Sequence, residues 1–159
     1  MRFILIDKVT KLNLGKSITG VKCITSTDDV MHDHFPGKPI MPGSLLVESA
    51  AQLSGMLLEL SENQDESTPI RRSVLVQIEK MKFHEFSKPG DQLIINADII
   101  SKLPEAAKVR VAIKCENEMR VNGTLSFSLI ELDTEEINKQ RKMIYTLWTG
   151  ELEQCPLIR

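Results

Sequence analysis

Three cysteines in 159 residues are too few and too scattered to organise this chain. Cys23, Cys115 and Cys155 are odd in number and far apart, which excludes a disulfide framework or a CxxC metal site and leaves buried, inert thiols as the reading. Aromatic residues are also sparse, at 4%, and there are only three histidines. Neither sign of charge dominates: the formal net charge of −2 gives no reason to expect a nucleic acid or an anionic membrane as partner. No apolar run is long enough to cross a bilayer. The apolar stretch in MRFILIDKV is too short for a signal peptide and is broken by Asp7, so a soluble, cytoplasmic protein is expected. What the chain does have is 42% hydrophobic residues, enough for one core and little for two. There is no internal repeat and no second domain in the pattern.

Residues 34 to 52, HFPGKPIMPGSLLVESAAQ, are the most informative stretch. His34 opens a turn stiffened by Pro36, Pro39 and Pro42 and carrying Gly37 and Gly43. A helical run follows that is apolar almost all round, through Leu45, Leu46, Val47, Ala50, Ala51, Leu53, Met56, Leu57, Leu58 and Leu60. Such a helix is buried. Yet Glu48 lies in its first turns, with Ser44 and Gln52 four positions to either side on the same face. A buried carboxyl is costly unless it is paired or useful. The stretch therefore offers one imidazole from a stiff turn and one carboxyl from a stiff helix, while the unsatisfied N–H groups at the helix start suit a developing oxyanion. Taken by themselves, these residues are also compatible with a surface histidine in a proline-rich turn and a glutamate reaching solvent at the helix edge.

The same stretch resembles the signature of the bacterial (3R)-hydroxyacyl-acyl-carrier-protein dehydratases, the Z-type enzymes of type II fatty-acid synthesis. The similarity extends to FILIDKV near the start, KMKFHEFSKPGDQL at 80–93 and RVNGTLSFSL at 120–129, covering roughly residues 3–132. Glu48 at the acidic position resembles the Z-type, since the related isomerising dehydratase has Asp there. Two departures stand out: Asp33 precedes the motif histidine where the family usually has Gly, and Gln77 stands where Gly is frequent. The resemblance implies a hotdog fold, an antiparallel sheet wrapped around one long helix. It also implies pairing of two such units into one continuous sheet, a homodimer that in some members assembles further as a trimer of dimers. The partner it implies is acyl carrier protein bearing a 3-hydroxyacyl thioester; it implies no cofactor and no metal.

On that reading His34 is the base that removes the C2 proton and Glu48 the group that acts on the C3 hydroxyl. The N–H of Gly43 is the oxyanion donor, Phe35 and Pro42 contact substrate, and Gln52 orients Glu48 from one turn away. The resemblance adds that the histidine and glutamate of one site come from different subunits. Because carrier proteins are acidic, Arg71 with Arg72 and Lys80 with Lys82 are candidates for docking, against the alternative of an ordinary solvated face. Two other functions remain open at this point: a thioesterase of the same fold, although such enzymes lack the HFPGxPxMPG turn, and a non-catalytic acyl-binding protein. A metal site at His32-Asp33-His34 would need a third ligand, and His84 is the only other histidine.

Along the rest of the chain, residues 3–9 and 16–25 read as two strands joined through Asn13-Leu14-Gly15. The helix runs to about Leu60 or Ser61, and 61–72 form a polar connector. Beyond it the period becomes two: Val74, Val76 and Ile78; a segment from Gln92 to Ser101 after the Pro89-Gly90-Asp91 turn; Val109, Val111, Ile113 and Cys115; then Met119, Val121, Leu125, Phe127 and Leu129, with Gly123 filling one step. This predicts antiparallel strands with one covered face and an α+β layering. Residues 133–150 lie outside the resemblance. Asp133 with Glu136 has the form of an N-terminal cap, Gly150 stands at a C-cap, and Ile137, Ile144, Leu147 and Trp148 share one helical face. This extra C-terminal helix packs back on its own domain, makes an oligomer contact or covers a substrate tunnel.

Overall fold

A computed structural model describes residues 4–159. A hairpin of β1 (Lys8–Asn13) and β2 (Ser17–Cys23) leads through a one-turn 3-10 helix at Asp29–Met31 into the proline-rich turn. Helix α1 (Gly43–Glu62) follows, then β3 (Arg71–Phe83), β4 (Gln92–Leu103), β5 (Ala106–Cys115), β6 (Glu118–Glu131) and α2 (Glu135–Thr149). The strands form one antiparallel sheet in the order β1-β2-β4-β5-β6-β3. The sheet curls around α1, which packs against β2, β3, β4, β5 and β6. This is the hotdog architecture.

The core follows the alternation. Val109, Val111, Ile113 and Cys115 of β5 and Val121, Leu125, Phe127 and Leu129 of β6 all point inward against Leu53, Met56 and Leu57 of α1. Each such side chain removed from water contributes about 1.5–3 kcal/mol, and this is the main drive for wrapping the helix. On the side of α1 that carries Glu48, Gln52 and Glu59, α2 stands across a cavity and is joined to α1 by the Tyr145 hydroxyl, which donates to Glu59.

Several boundaries differ from the expectation. β1 begins at Lys8, not near residue 3, with Lys8 opposite Val21 at the far end of its pairing with β2; the Asp7 N–H still reaches Val21 O at 2.8 Å. Residue 3 of the expected strand lies outside the described residues. Arg71 and Arg72 belong to β3 instead of the connector, and α1 continues to Glu62. The cap of α2 is Thr134, whose hydroxyl accepts from Ile137 N–H, while Asp133 accepts from the Asn138 amide. Leu147 faces solvent although Ile144 and Trp148 are buried. Only Cys115 is a buried thiol; Cys23 is half-buried and Cys155 exposed.

The alternating face of β3 is also different. Val74, Val76 and Ile78 are uncovered, with Val76 61% exposed. β3 pairs only with β6, so a thirteen-residue strand ends the sheet with an unpaired, apolar edge. Such an edge is a template for another strand.

Candidate active site

The proline-rich turn is built to hold an imidazole. His34 N–H donates to Val30 O at 3.1 Å, Ile40 N–H returns to His34 O at 2.8 Å, and Phe35 and Lys38 exchange two backbone bonds across Gly37, whose φ of +74° only glycine adopts without strain. Met41 N–H then pins the turn to Ser87 O of the β3–β4 loop at 2.7 Å. Inside this frame His34 Nδ1 lies 2.8 Å from Ile40 O, and the Phe35 ring stacks on the imidazole at 4.1 Å. A carbonyl only accepts, so in the neutral ring Nδ1 carries the proton and Nε2 keeps its lone pair. Among the described residues Nε2 has no partner. The turn thus presents Nε2 with an unengaged lone pair.

Pro42 and Gly43 open α1. Leu45 and Leu46 N–H both turn back to Pro42 O, at 3.0 and 3.2 Å, which leaves the Gly43 and Ser44 N–H groups without an acceptor among the described residues. Two adjacent donors at the positive end of a twenty-residue helix form a ready oxyanion site. Gly43 has no room for a side chain: an added Cβ would lie 2.7 Å from the Phe83 ring. Phe83, which was not singled out in the sequence beyond its place in KMKF, therefore lies directly against the donor.

One turn further on, Glu48 accepts from Gln52 Nε2 at 2.9 Å, and Gln52 Oε1 accepts from Leu5 N–H at 3.0 Å. The Leu5 N–H can only donate, so it fixes the amide orientation and aims the Gln52 donor at Glu48. Glu48 and Gln52 line a cavity of about 770 Å³ between α1, β3, β6 and α2. His34 is not among its walls, and no hydrogen bond joins His34 to Glu48 within the chain. The fold brings together Glu48 with Gln52 and His34 with Phe35, and sets Gly43 at the helix start between them in sequence.

The opposite end of the cavity holds a cluster that the sequence reading missed. Glu59, 2% exposed, accepts from Arg72 Nη1 at 3.3 Å, the Tyr145 hydroxyl at 2.9 Å and the Ser73 N–H and hydroxyl at 3.3 and 3.2 Å, and forms an ion pair with Arg141, whose Nε lies 3.3 Å away. Burial, and then the Glu59 charge beside it, push the Tyr145 phenol well above its ordinary range, so it stays a donor. The signal was available: Glu59, like Glu48, is an ionisable residue inside an apolar helix. Arg72 is corrected by the same cluster. It is 3% exposed and bound also to Asn138 Oδ1 and Arg159 O, so its guanidinium cannot meet a carrier surface. Arg71 is half-buried and donates to Pro104 O, while Lys80 and Lys82 remain exposed near a break in the β3–β6 register. Among the described residues no group of three or more His, Cys, Asp or Glu side chains converges as a metal would require.

Residues 1–130 match the family model described as the FabA-like domain. The 3-hydroxyacyl-[acyl-carrier-protein] dehydratase FabZ of Thiobacillus denitrificans is 41% identical over 125 residues, covering 77% of this chain and 80% of that protein. The FabZ of Rickettsia bellii is 38% identical over 117 residues, covering 74% and 79%. Among solved structures, the dehydratase heterocomplex ApeI:P from Xenorhabdus doucetiae superposes with a TM-score of 0.65 at 16% identity, covering 87% of this chain and 89% of that one, a likeness of fold.

Proposed function

Because the chain belongs to the FabA-like family, we propose that it is an enzyme that dehydrates (3R)-3-hydroxyacyl-acyl-carrier-protein to the trans-2-enoyl thioester, in fatty-acid or related lipid biosynthesis. The observation that carries this reading is the HFPG turn itself, which fixes His34 through Nδ1 and leaves Nε2 as a base. His34 Nε2 takes the C2 proton. The charge that builds on the thioester oxygen is received by the Gly43 N–H, and the electron pair closes to a C2–C3 double bond as the C3–O bond breaks. The hydroxyl leaves as water with a proton from the Glu48 carboxyl, which Gln52 holds in place. Phe35 and Pro42 flank this path. The chemistry is proton transfer alone and calls on no cofactor.

The base and the carboxyl act across a homodimer. The placement of His34 outside the cavity that Glu48 lines supports this, as does the β3 edge, unpaired among the described residues and carrying exposed valines and isoleucine, onto which the same strand of a second copy adds by a twofold axis. Further assembly as a trimer of dimers is compatible with that pairing. Acidic carrier protein docks through Arg71, Lys80 and Lys82. Among the described residues no helix is long and apolar enough to cross a membrane, and we place the enzyme in the cytoplasm.

Incubation with carrier-linked (3R)-3-hydroxyacyl chains, read by mass spectrometry, is expected to show loss of one water with the thioester intact, and faster turnover than with a small thioester mimic. Release of a free acid would establish a thioesterase instead, and unchanged substrate would leave only a binding protein.

A further inference from the structure

Glu48, Gln52, Gly55 and Glu59 fall on one stripe of α1, and all four line the same cavity. The helix rises about 16 Å from Glu48 to Glu59 at about 1.5 Å per residue. The stripe begins at the carboxyl assigned to the C3 hydroxyl and ends at a cluster of buried charges. Between them an apolar strip runs along Ala51, Leu75 and Phe127 on one side and Ile144 and Trp148 of α2 on the other, while Glu136, Lys139 and Gln140 of α2 add polar groups to the lining. A cavity of this volume with an apolar strip beside convergent polar groups is within the range of small-molecule sites. Gly43 lies toward the helix start from Glu48, so a substrate with its thioester at Gly43 and its C3 hydroxyl at Glu48 has only one direction left for its tail, along the stripe toward Glu59. There it meets a carboxylate already engaged by two arginines, a tyrosine and a serine. A methyl end driven into that cluster would strip buried charges of their partners, which is costly. The wall that completes the cavity is α2, and α2 lies beyond the 130 residues that match the family model.

We propose that α2 is the acyl-length determinant of this enzyme: Ile144 and Trp148 flank the tail, and the Glu59–Arg72–Arg141–Tyr145 cluster ends its path. The inference rests on the dehydratase reading of Glu48. Chains that stop short of the cluster are taken, and longer ones are discriminated against.

The test compares kcat/KM over a series of carrier-linked (3R)-3-hydroxyacyl chains from short to long, with a thermal melt of each variant. Wild type should show a sharp fall beyond one length. Ile144→Ala and Trp148→Leu should move that fall to longer chains, raising the long-to-short ratio about tenfold or more, the usual worth of a methylene or two in an apolar pocket. Met143→Ala, at an exposed position on the same wall, should shift it in the same direction and will fold whatever the core variants do. Ile144→Phe should move the fall to shorter chains. Dehydration with an unchanged order of preference, or equal loss at every length in all variants, would overturn the inference and leave α2 a structural brace. Failure of wild type to dehydrate any chain would overturn the dehydratase reading and this inference with it.

Discussion

His34→Ala lowers the rate of dehydration by about 10² to 10⁴, the usual worth of a general acid–base group, and Glu48→Gln does the same. The imidazole is held by one bond to Ile40 O, but the turn around it is held by backbone bonds that alanine keeps: His34 N–H to Val30 O, Ile40 N–H to His34 O and Met41 N–H to Ser87 O. The variant should therefore fold and melt as wild type while lacking the base nitrogen. At Glu48 the substitution preserves volume and removes the acid. Gln52 donates to one oxygen there, and the new amide can offer its carbonyl in the same place, so the local packing survives. Steady-state kinetics beside thermal melts checks both variants. Near-full turnover with a normal melt in either would strike that residue from the mechanism.

Glu59→Gln should cost about 3 kcal/mol of stability, because removing one partner of a buried ion pair leaves the others desolvated and unneutralised. Arg72 is the residue most affected: it is buried beside Glu59, the side-chain carboxylate with which it is paired. Arg141 loses its ion-pair partner and the Tyr145 hydroxyl loses its charged acceptor as well, so α2 loses its main polar latch onto α1. For a chain of this size the loss corresponds to a fall in Tm of about 6–12 °C. The double variant Glu59→Met with Arg72→Met should melt above Glu59→Met alone, since it removes the stranded charge along with its partner. Urea unfolding gives the free energies; a Glu59→Gln curve within error of wild type would mean that the cluster is solvated and does not latch the helix.

The same cluster shows what could and could not be read from the chain. The buried helix was legible because its apolar residues run almost all round it, and β5 and β6 because strict alternation survives even the step at Gly123. Glu59 obeyed the rule that drew attention to Glu48, a carboxyl inside an apolar helix, and could have been found by it. Its partners could not. Arg72, Arg141 and Tyr145 lie 13, 82 and 86 positions away, and only the closing of β3 and α2 over α1 joins them. Arg72 read as a surface charge for the same reason, since burial of an arginine is decided by tertiary contacts and not by its neighbours in sequence. The exposed apolar face of β3 misled in the other direction: the alternation of Val74, Val76 and Ile78 predicts a covered face, and within one chain nothing covers it.

Mixing the two inactive variants tests the shared site directly. His34→Ala and Glu48→Ala proteins are combined and their subunits allowed to exchange, with exchange followed by native mass spectrometry. If His34 of one chain works with Glu48 of its partner, a mixed dimer gathers both lesions in one site and neither in the other. Random pairing makes about half the dimers mixed, so about a quarter of wild-type activity should return. If both residues serve a site within one chain, every site carries a lesion, and recovery near zero with exchange complete would contradict the account.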